Sequence, residues 1–193
     1  KSIFSLQKRF SSTLKKKLDE KIRLREEMGI VPEILNYKEV EELCKELQNP
    51  KDKEIPFLLN QFTQRIVPGV DDTSRLKANF LLDFCLQKIN CPVITEYDAI
   101  KILGTMQGGY NIEALIQLLE NKNENFAKLS SNELKKNILI FDYFYDIEKL
   151  SKKGNKYATN ILASWANGEW FTKKNPINEK ITLKAFKVTG EIN

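Results

Sequence analysis

Apolar residues recur at steps of three and four along most of this chain, which is the spacing of amphipathic α-helices. The pattern runs over seven stretches, at 38–47, 55–65, 75–89, 96–104, 112–121, 133–150 and 156–171. Turn-forming residues lie between them, as at Asn49-Pro50, 67–72 and 151–155. The pattern therefore predicts an all-α domain of stacked helical hairpins joined by short turns.

Polar residues that begin helices support the same architecture. The expected N-terminal caps are Thr73 or Ser74, Thr95 with Asp98, Asn111, and Ser130 with Glu133. The helix lengths are typical of a HEAT-like, α-superhelical array, although no sequence repeat is visible.

The end of the chain has a different periodicity. Within 180–190, Ile181, Leu183 and Ala185 alternate with polar residues before the pattern shifts to Phe186 and Val188. This predicts a short β-strand-like tail with a bulge. An isolated strand leaves its backbone unpaired, so it would pair with the sheet edge of a partner.

The first eighteen residues carry six of the 31 Lys and Arg residues and no acid. The remaining 25 basic and 26 acidic residues give the rest of the chain, which we call the body, a net charge of −1. Ile3, Leu6, Phe10, Leu14 and Leu18 lie at helical spacing, so the segment is a basic amphipathic helix. It predicts a mitochondrial transit peptide or, alternatively, an ordinary first helix. A retained helix would suit an anionic membrane surface or an acidic groove on a partner.

The residue types present limit the chemistry that this chain can perform. Histidine is absent, which removes the commonest general base and metal ligand. The three cysteines, Cys44, Cys85 and Cys91, have no CxxC spacing. We therefore expect no cofactor and no metal. No apolar run is long enough to span a bilayer, and the near-neutral body argues against a nucleic-acid partner.

The stretch LGTMQGGYN, residues 103–111, raises the question of a phosphate-binding loop. Its glycines do not have the GxGxxG spacing, and the preceding residues are helical rather than extended. We expect Gly108-Gly109 to end one helix in the left-handed conformation, and Asn111 to cap the next.

The motifs ILGTMQGGYNI, IVPGVDD, FDYFYDIEKLSKKGNKYATNILASWANGEWF and FKVTGE together resemble the N-terminal helical domain of bacterial-type aconitase B. The resemblance covers roughly residues 28–191. It implies a HEAT-like domain that mediates protein contacts and walls the route to the active site. In that family the iron–sulfur cluster and the catalytic residues belong to later domains, so the resemblance assigns no catalytic residue here.

These observations lead to three expected segments: a basic N-terminal helix or targeting segment at 1–27, a HEAT-like domain at 28–178, and an extended segment at 179–193. The main functional prediction is a non-catalytic accessory or scaffold subunit of a mitochondrial complex, of respiratory-chain or ATP-synthase type. It would lie in the matrix or on the matrix side of the inner membrane. The alternative is the N-terminal portion of an aconitate hydratase whose catalytic iron–sulfur domains lie outside this chain.

The candidate partner-binding residues are basic and aromatic side chains near the start and apolar side chains near the end. They are Lys8, Arg9, Phe10, Lys15, Lys16, Lys17, Trp170, Phe171, Ile181, Leu183 and Phe186. The aromatic run 143–145 is a further candidate surface, or else part of the core.

Overall fold

A computed structural model describes residues 13–137 and 143–168. Nine α-helices and one 3₁₀ turn lie within these two ranges, and neither range contains a strand. The helices are α1 (Thr13–Glu27), α2 (Tyr37–Gln48), α3 (Ile55–Gln64), α4 (Asp72–Cys85), α5 (Glu96–Thr105), α6 (Tyr110–Leu118), α7 (Glu124–Lys135), α8 (Phe144–Lys152) and α9 (Lys156–Ala166), with the 3₁₀ turn at Asp52–Glu54. The strand predicted at 180–190 lies outside the described residues.

The helices form a stack in which each helix packs on the next helix in the chain, on the one after it, or on an earlier neighbour. Thus α2 contacts α3 and α4, α4 contacts α5 and α6, and α7 contacts α5, α6 and α9. This connectivity confirms the predicted all-α stack of helical hairpins, because each hairpin buries its apolar stripe against its neighbours.

One continuous core runs through the stack. Most helices from α2 onward contribute a fully buried apolar side chain, among them Leu43, Phe62, Leu81, Leu115 and Ile161. Burying a side chain of this kind stabilises the fold by roughly 1.5–3 kcal/mol. No helix in the described ranges is long and apolar enough to cross a membrane.

Three of the four predicted helix starts differ from those in the structure. The Thr95–Asp98 capping box of α5 is confirmed in both directions. In α4, however, the cap is Asp71, whose carboxylate accepts from the backbone N–H of Thr73 at 2.7 Å. An aspartate side chain accepts a hydrogen bond from a free N–H at a helix start, as a hydroxyl does. Its negative charge also interacts favourably with the helix dipole.

The prediction that Asn111 caps α6 is wrong. The N-cap is Gly109, and Asn111 lies within the first turn of the helix. Its buried side-chain amide instead donates to the carbonyl oxygens of Leu103 and Met106, at 2.9 and 3.0 Å. Asn111 therefore satisfies carbonyls at the C-terminal end of α5, which would otherwise be left unpaired. Gly108 and Gly109 have positive φ values of 95° and 106°, as predicted, but they do not end α5, whose C-terminal cap is Met106.

The single helix predicted over 133–150 is also wrong. Asn123 caps α7, so Ser130 lies inside that helix, and α8 begins separately at Phe144. Both Ser130 and Ser131 are buried, and the Ser131 hydroxyl donates to the carbonyl oxygen of Tyr157 at 3.2 Å. These serines face the core rather than a helix start. The helix predicted over 75–89 likewise ends early, at Cys85.

Candidate protein-interaction surface

The basic helix α1 is packed onto the body by the side chains that gave it its amphipathic pattern. Leu14 and Leu18 are each 2% exposed and belong to the common core. Lys15 lies 2.7 Å from Asp19 and 4.7 Å from the Phe57 ring centroid. Much of the apolar and basic character of residues 13–18 is therefore used within the molecule.

Glu39 joins α1 to α2 through a buried carboxylate that is 1% exposed. Lys21 donates to it at 2.6 Å, and Lys17 lies 3.8 Å away. Burial acts to raise the pKa of Glu39, but the hydrogen bonds from Lys21 and from the Asn36 backbone outweigh it and leave that pKa lowered. Of the candidate lysines that the structure describes, Lys16 is exposed and has no ion pair among the described residues.

Lys8, Arg9 and Phe10, together with Trp170, Phe171, Ile181, Leu183 and Phe186, lie outside the described residues. The assignment of these residues to partner binding stays a prediction.

The glycine-containing loop before α4 contacts the one between α5 and α6, and we call residues 67–71 and 106–110 the loop junction. The backbones of Gly69 and Gly108 approach so closely that a Cβ on Gly108 would collide with the Gly69 carbonyl group. The Tyr110 hydroxyl donates to the carbonyl oxygen of Val70 at 3.3 Å. The segment at 104–110, GTMQGGY, therefore connects α5 to α6 and also contacts the loop before α4.

Beside the loop junction lies a groove with a volume of about 540 Å³, which is within the usual range for a binding site. Its lining contains three carboxylates and no lysine or arginine; the lining residues are Glu33, Ile34, Leu35, Asn36, Tyr37, Val67, Asp71, Asp72 and Thr73. We call it the acidic groove. Two of its apolar side chains are open to solvent, with Ile34 58% and Tyr37 47% exposed.

Arginine side chains hold the segment that forms one wall of the acidic groove. Arg25 donates to the carbonyl oxygen of Val31 at 2.8 Å, and Arg65 donates to that of Glu33. The Leu35 N–H donates to the Arg65 carbonyl oxygen at 2.8 Å. The wall is therefore fixed to the body through its backbone, while Ile34 remains exposed.

Sequence reasoning missed the acidic groove because its acids come from two segments about 40 residues apart in the chain. A signal was nevertheless present. Val31, Ile34 and Val70 are apolar residues in stretches without helical periodicity, and all three are exposed in the structure. Exposed apolar residues that cluster are typical of interaction sites.

The aromatic run at the start of α8 is largely a surface feature. Phe144 is 40% and Tyr145 72% exposed, and their rings meet edge-on with centroids 5.6 Å apart. Tyr143 is half-buried, and its hydroxyl donates to the Glu113 carboxylate at 2.9 Å. Of the two readings for this run, a contact surface fits Phe144 and Tyr145 better than a place in the core.

The cysteines do not fit an iron–sulfur cluster. Residues 13–137 and 143–168 contain no group of three or more Cys, Asp, Glu or His side chains that could hold a metal ion. Burial raises the pKa of both Cys44 and Cys85 to about 12. Because thiolates are the ligands that clusters require, neutral buried thiols suit packing instead.

The fold and its surfaces thus define a class: an all-helical stacked-hairpin domain with an acidic groove and exposed aromatics at its surface. A sequence profile of the Aconitate B N-terminal domain matches residues 17–171. The chain belongs to this family. It is 43% identical to aconitate hydratase B of Pseudomonas aeruginosa over 165 residues, and 42% identical to that of Escherichia coli over the same length. The identity to aconitate hydratase B of Synechocystis is 41% over 169 residues.

These matches cover 86–88% of the chain but 19% of each of those three relatives. The chain therefore spans about a fifth of the length of the curated relatives it matches, and the match is to their N-terminal region.

The comparisons overturn the main functional prediction. The predicted accessory subunit of a respiratory-chain or ATP-synthase complex is wrong, because the relatives are bacterial aconitate hydratases. The predicted mitochondrial location is wrong for the same reason, and the transit-peptide interpretation loses its support with it. Its physical basis was the basic amphipathic pattern, which in residues 13–27 serves to pack α1 onto the body through Leu14 and Leu18.

Proposed function

We propose that this chain is the N-terminal interaction domain of an aconitate hydratase, whose catalytic iron–sulfur domains lie outside these 193 residues. The observation that carries the proposal is the extent of the match: most of this chain aligns with about a fifth of enzymes named aconitate hydratase B. In such an enzyme, the remaining four-fifths would hydrate and dehydrate citrate through aconitate. This domain would supply protein contacts.

The side chains of this chain support a non-catalytic role. The sequence has no histidine, and burial raises the pKa values of all three thiols. Lys77 has a lowered pKa but lies in the core, against the Phe62 ring. No residue described above combines a reactive protonation state with access to a substrate.

A chimeric enzyme tests the proposal. In aconitate hydratase B of Escherichia coli, the region that aligns with this chain is replaced by this chain, and aconitate formation from citrate is measured. At 42% identity the buried positions should remain compatible, so we expect kcat/KM within about tenfold of the parent enzyme. Deletion of the same region is the control, and we expect it to lose more activity than the replacement does.

A chimera no more active than the deletion variant would contradict the proposal. Turnover of citrate by the isolated 193-residue chain would contradict the non-catalytic role. Sequencing of the gene beyond the codon for Asn193 gives an independent check, for which we expect an open frame that continues into cysteine-bearing catalytic domains.

A further inference from the structure

The segment that forms one wall of the acidic groove is rich in exposed apolar side chains. Among the described residues, ten large apolar or aromatic side chains are exposed, and six of them lie in one stretch: Leu24, Met28, Ile30, Val31, Ile34 and Tyr37. Val70, which precedes Asp71 of the other lining segment, is 75% exposed. We call Val31, Ile34, Tyr37 and Val70 the apolar rim. Exposed apolar side chains that cluster in this way are typical of interaction surfaces.

The apolar rim is held in place through its backbone. The Arg25 guanidinium donates to the carbonyl oxygen of Val31 at 2.8 Å, and the N–H of the buried Leu35 donates to the carbonyl oxygen of Arg65 at 2.8 Å. The loop junction holds the carbonyl oxygen of Val70 in a similar way. Because the backbone is already fixed, a partner that covers the apolar rim has less conformational entropy to overcome than it would on a loose loop.

The charge of the acidic groove selects among possible partners. Its lining has three carboxylates and no lysine or arginine. Asp71 is engaged by the backbone N–H and hydroxyl of Thr73, and Asp72 pairs with Arg75 at 2.8 Å. The Glu33 carboxylate, in contrast, has no hydrogen bond or ion pair among the described residues. A partner with Lys or Arg beside apolar side chains would therefore add an ion pair at Glu33 without breaking one.

The same charge disfavours a second copy of this chain as the partner. In a two-fold symmetric dimer, the same surface of each copy meets its counterpart. The carboxylates of one acidic groove would then face those of the other, and like charges brought together oppose association. An anionic membrane surface is disfavoured for the same reason. The acidic groove therefore suits a surface that differs from its own.

The rest of the enzyme is a partner of this kind, if the proposed function holds. This chain aligns with 19% of the relatives from Pseudomonas aeruginosa and Escherichia coli, so in an enzyme of that length about four-fifths of the polypeptide lies outside it. The family profile covers 17–171, which includes both segments that line the acidic groove. We propose that the acidic groove and its apolar rim dock a segment of the catalytic part of the same polypeptide, with a Lys or Arg of that segment against Glu33 and apolar side chains against Ile34 and Tyr37. Covalent attachment makes the effective concentration high, so a modest contact is sufficient.

The chimeric enzyme described above tests the docking, because its activity reports on the proposed function and its crosslinks report on the acidic groove. Benzoylphenylalanine replaces Tyr37 in the chimera, the protein is irradiated, and the crosslinked peptides are identified by mass spectrometry. We expect crosslinks within one polypeptide, to an apolar segment of the catalytic part that contains Lys or Arg. Glu33→Lys and, separately, Ile34→Ser should each lower their yield by about fivefold or more, because each removes one of the two complementary features.

Two matched controls separate the acidic groove from the rest of the surface. Glu42 is also an exposed carboxylate without an ion pair among the described residues, but it does not line the groove, so Glu42→Lys should leave the yield unchanged. Tyr97 is 46% exposed, against 47% for Tyr37, and lies outside the groove lining. Benzoylphenylalanine at Tyr97 should give at least about fivefold fewer crosslinks to the catalytic part. Replacing the crosslinked segment's Lys or Arg by Glu, in the Glu33→Lys background, should restore most of the yield.

An active chimera without crosslinks from Tyr37 to its catalytic part would overturn the docking and leave the proposed function standing. A chimera no more active than the deletion variant would overturn both. Equal yields from Tyr37 and Tyr97, a yield that Glu33→Lys and Ile34→Ser leave unchanged, or crosslinks that join two polypeptides in a mixture of ¹⁴N- and ¹⁵N-labelled protein would also overturn the docking. Circular dichroism checks that each variant is folded, and the charge exchange keeps the test decisive if one variant is not.

Discussion

At the scale of single residues, Lys77 in α4 is an unfavourable feature of the fold. The side chain is 7% exposed, and its ammonium lies 5.1 Å from the Phe62 ring centroid. It has no carboxylate partner among the described residues. Burial lowers the pKa of Lys77 to about 8. Burying this charge destabilises the folded state, because the contact with an aromatic ring offsets only part of the lost hydration.

We therefore expect Lys77→Met to raise the free energy of unfolding at pH 7 by about 1–2 kcal/mol. The gain should shrink as the pH rises. Above about pH 8, folded Lys77 loses its proton while the unfolded lysine keeps its own up to about pH 10.5, so the wild type gains stability with pH. The wild type should recover about 2 kcal/mol relative to the variant between pH 7 and about pH 9.5.

Urea unfolding of both proteins at the two pH values measures this difference. Lys45→Met is the control, because Lys45 is exposed and pairs with Glu41 at 3.1 Å; its effect should stay within about 0.5 kcal/mol at both pH values. A Lys77→Met protein less stable than the wild type at pH 7 would contradict the account.

At the scale of elements, the loop junction decides how α4, α5 and α6 meet. Gly108 has a φ of 95°, and its Cα faces the Gly69 carbonyl group with no room for a side chain. Gly154, between α8 and α9, has a similar φ of 90° but open space around it. Substitutions at these two glycines can therefore be compared to distinguish the cost of backbone strain from the cost of crowding between the two loops.

Gly154→Ala should cost about 1–2 kcal/mol, the strain of a left-handed conformation for alanine. Gly108→Ala should cost at least about 2 kcal/mol more, since the new methyl group must also push the Gly69 loop away. Thermal or urea unfolding of the two variants measures the difference. Equal costs would show that the close approach of the loops does not constrain the fold.

The sequence predicted the loop junction only in part. Adjacent glycines indicate left-handed backbone, and both have it. The contact with Gly69 has no local signal, because 39 residues separate it from Gly108. The same holds for Asn111. Its position after two glycines indicated a cap for α6, but tertiary contact made it a cap for α5. A polar side chain near two helix ends can serve either of them, and only the packing angle selects one.

At the scale of the whole molecule, stability should vary along the stack. Helix α4 has nine buried residues and packs on α2, α5 and α6. Helix α1 has two buried residues and packs mainly on α2. In a stacked array, each element is stabilised by its immediate neighbours, so elements with fewer neighbours open more readily.

We expect backbone amides of α1 to exchange with deuterium at least about 100-fold faster than those of α4, after correction for intrinsic rates. Glu39→Gln should accelerate exchange in α1 by a further fivefold or so, because it weakens the bond to Lys21, while α4 remains unchanged. Glu41→Gln, which removes an exposed ion pair on α2, serves as the control. Protection of α1 equal to that of α4 would contradict a graded stack.

The sequence by itself determined the helical class, most helix positions and the family, since helical periodicity and co-linear motifs are local properties of the chain. Tertiary structure decided which contacts each polar residue makes. It placed Ser130 and Ser131 in the core, used Lys17 and Lys21 to hold Glu39, and formed the acidic groove from two distant segments. Such pairings depend on how helices cross in space, and no pattern along one stretch of the chain carries that information.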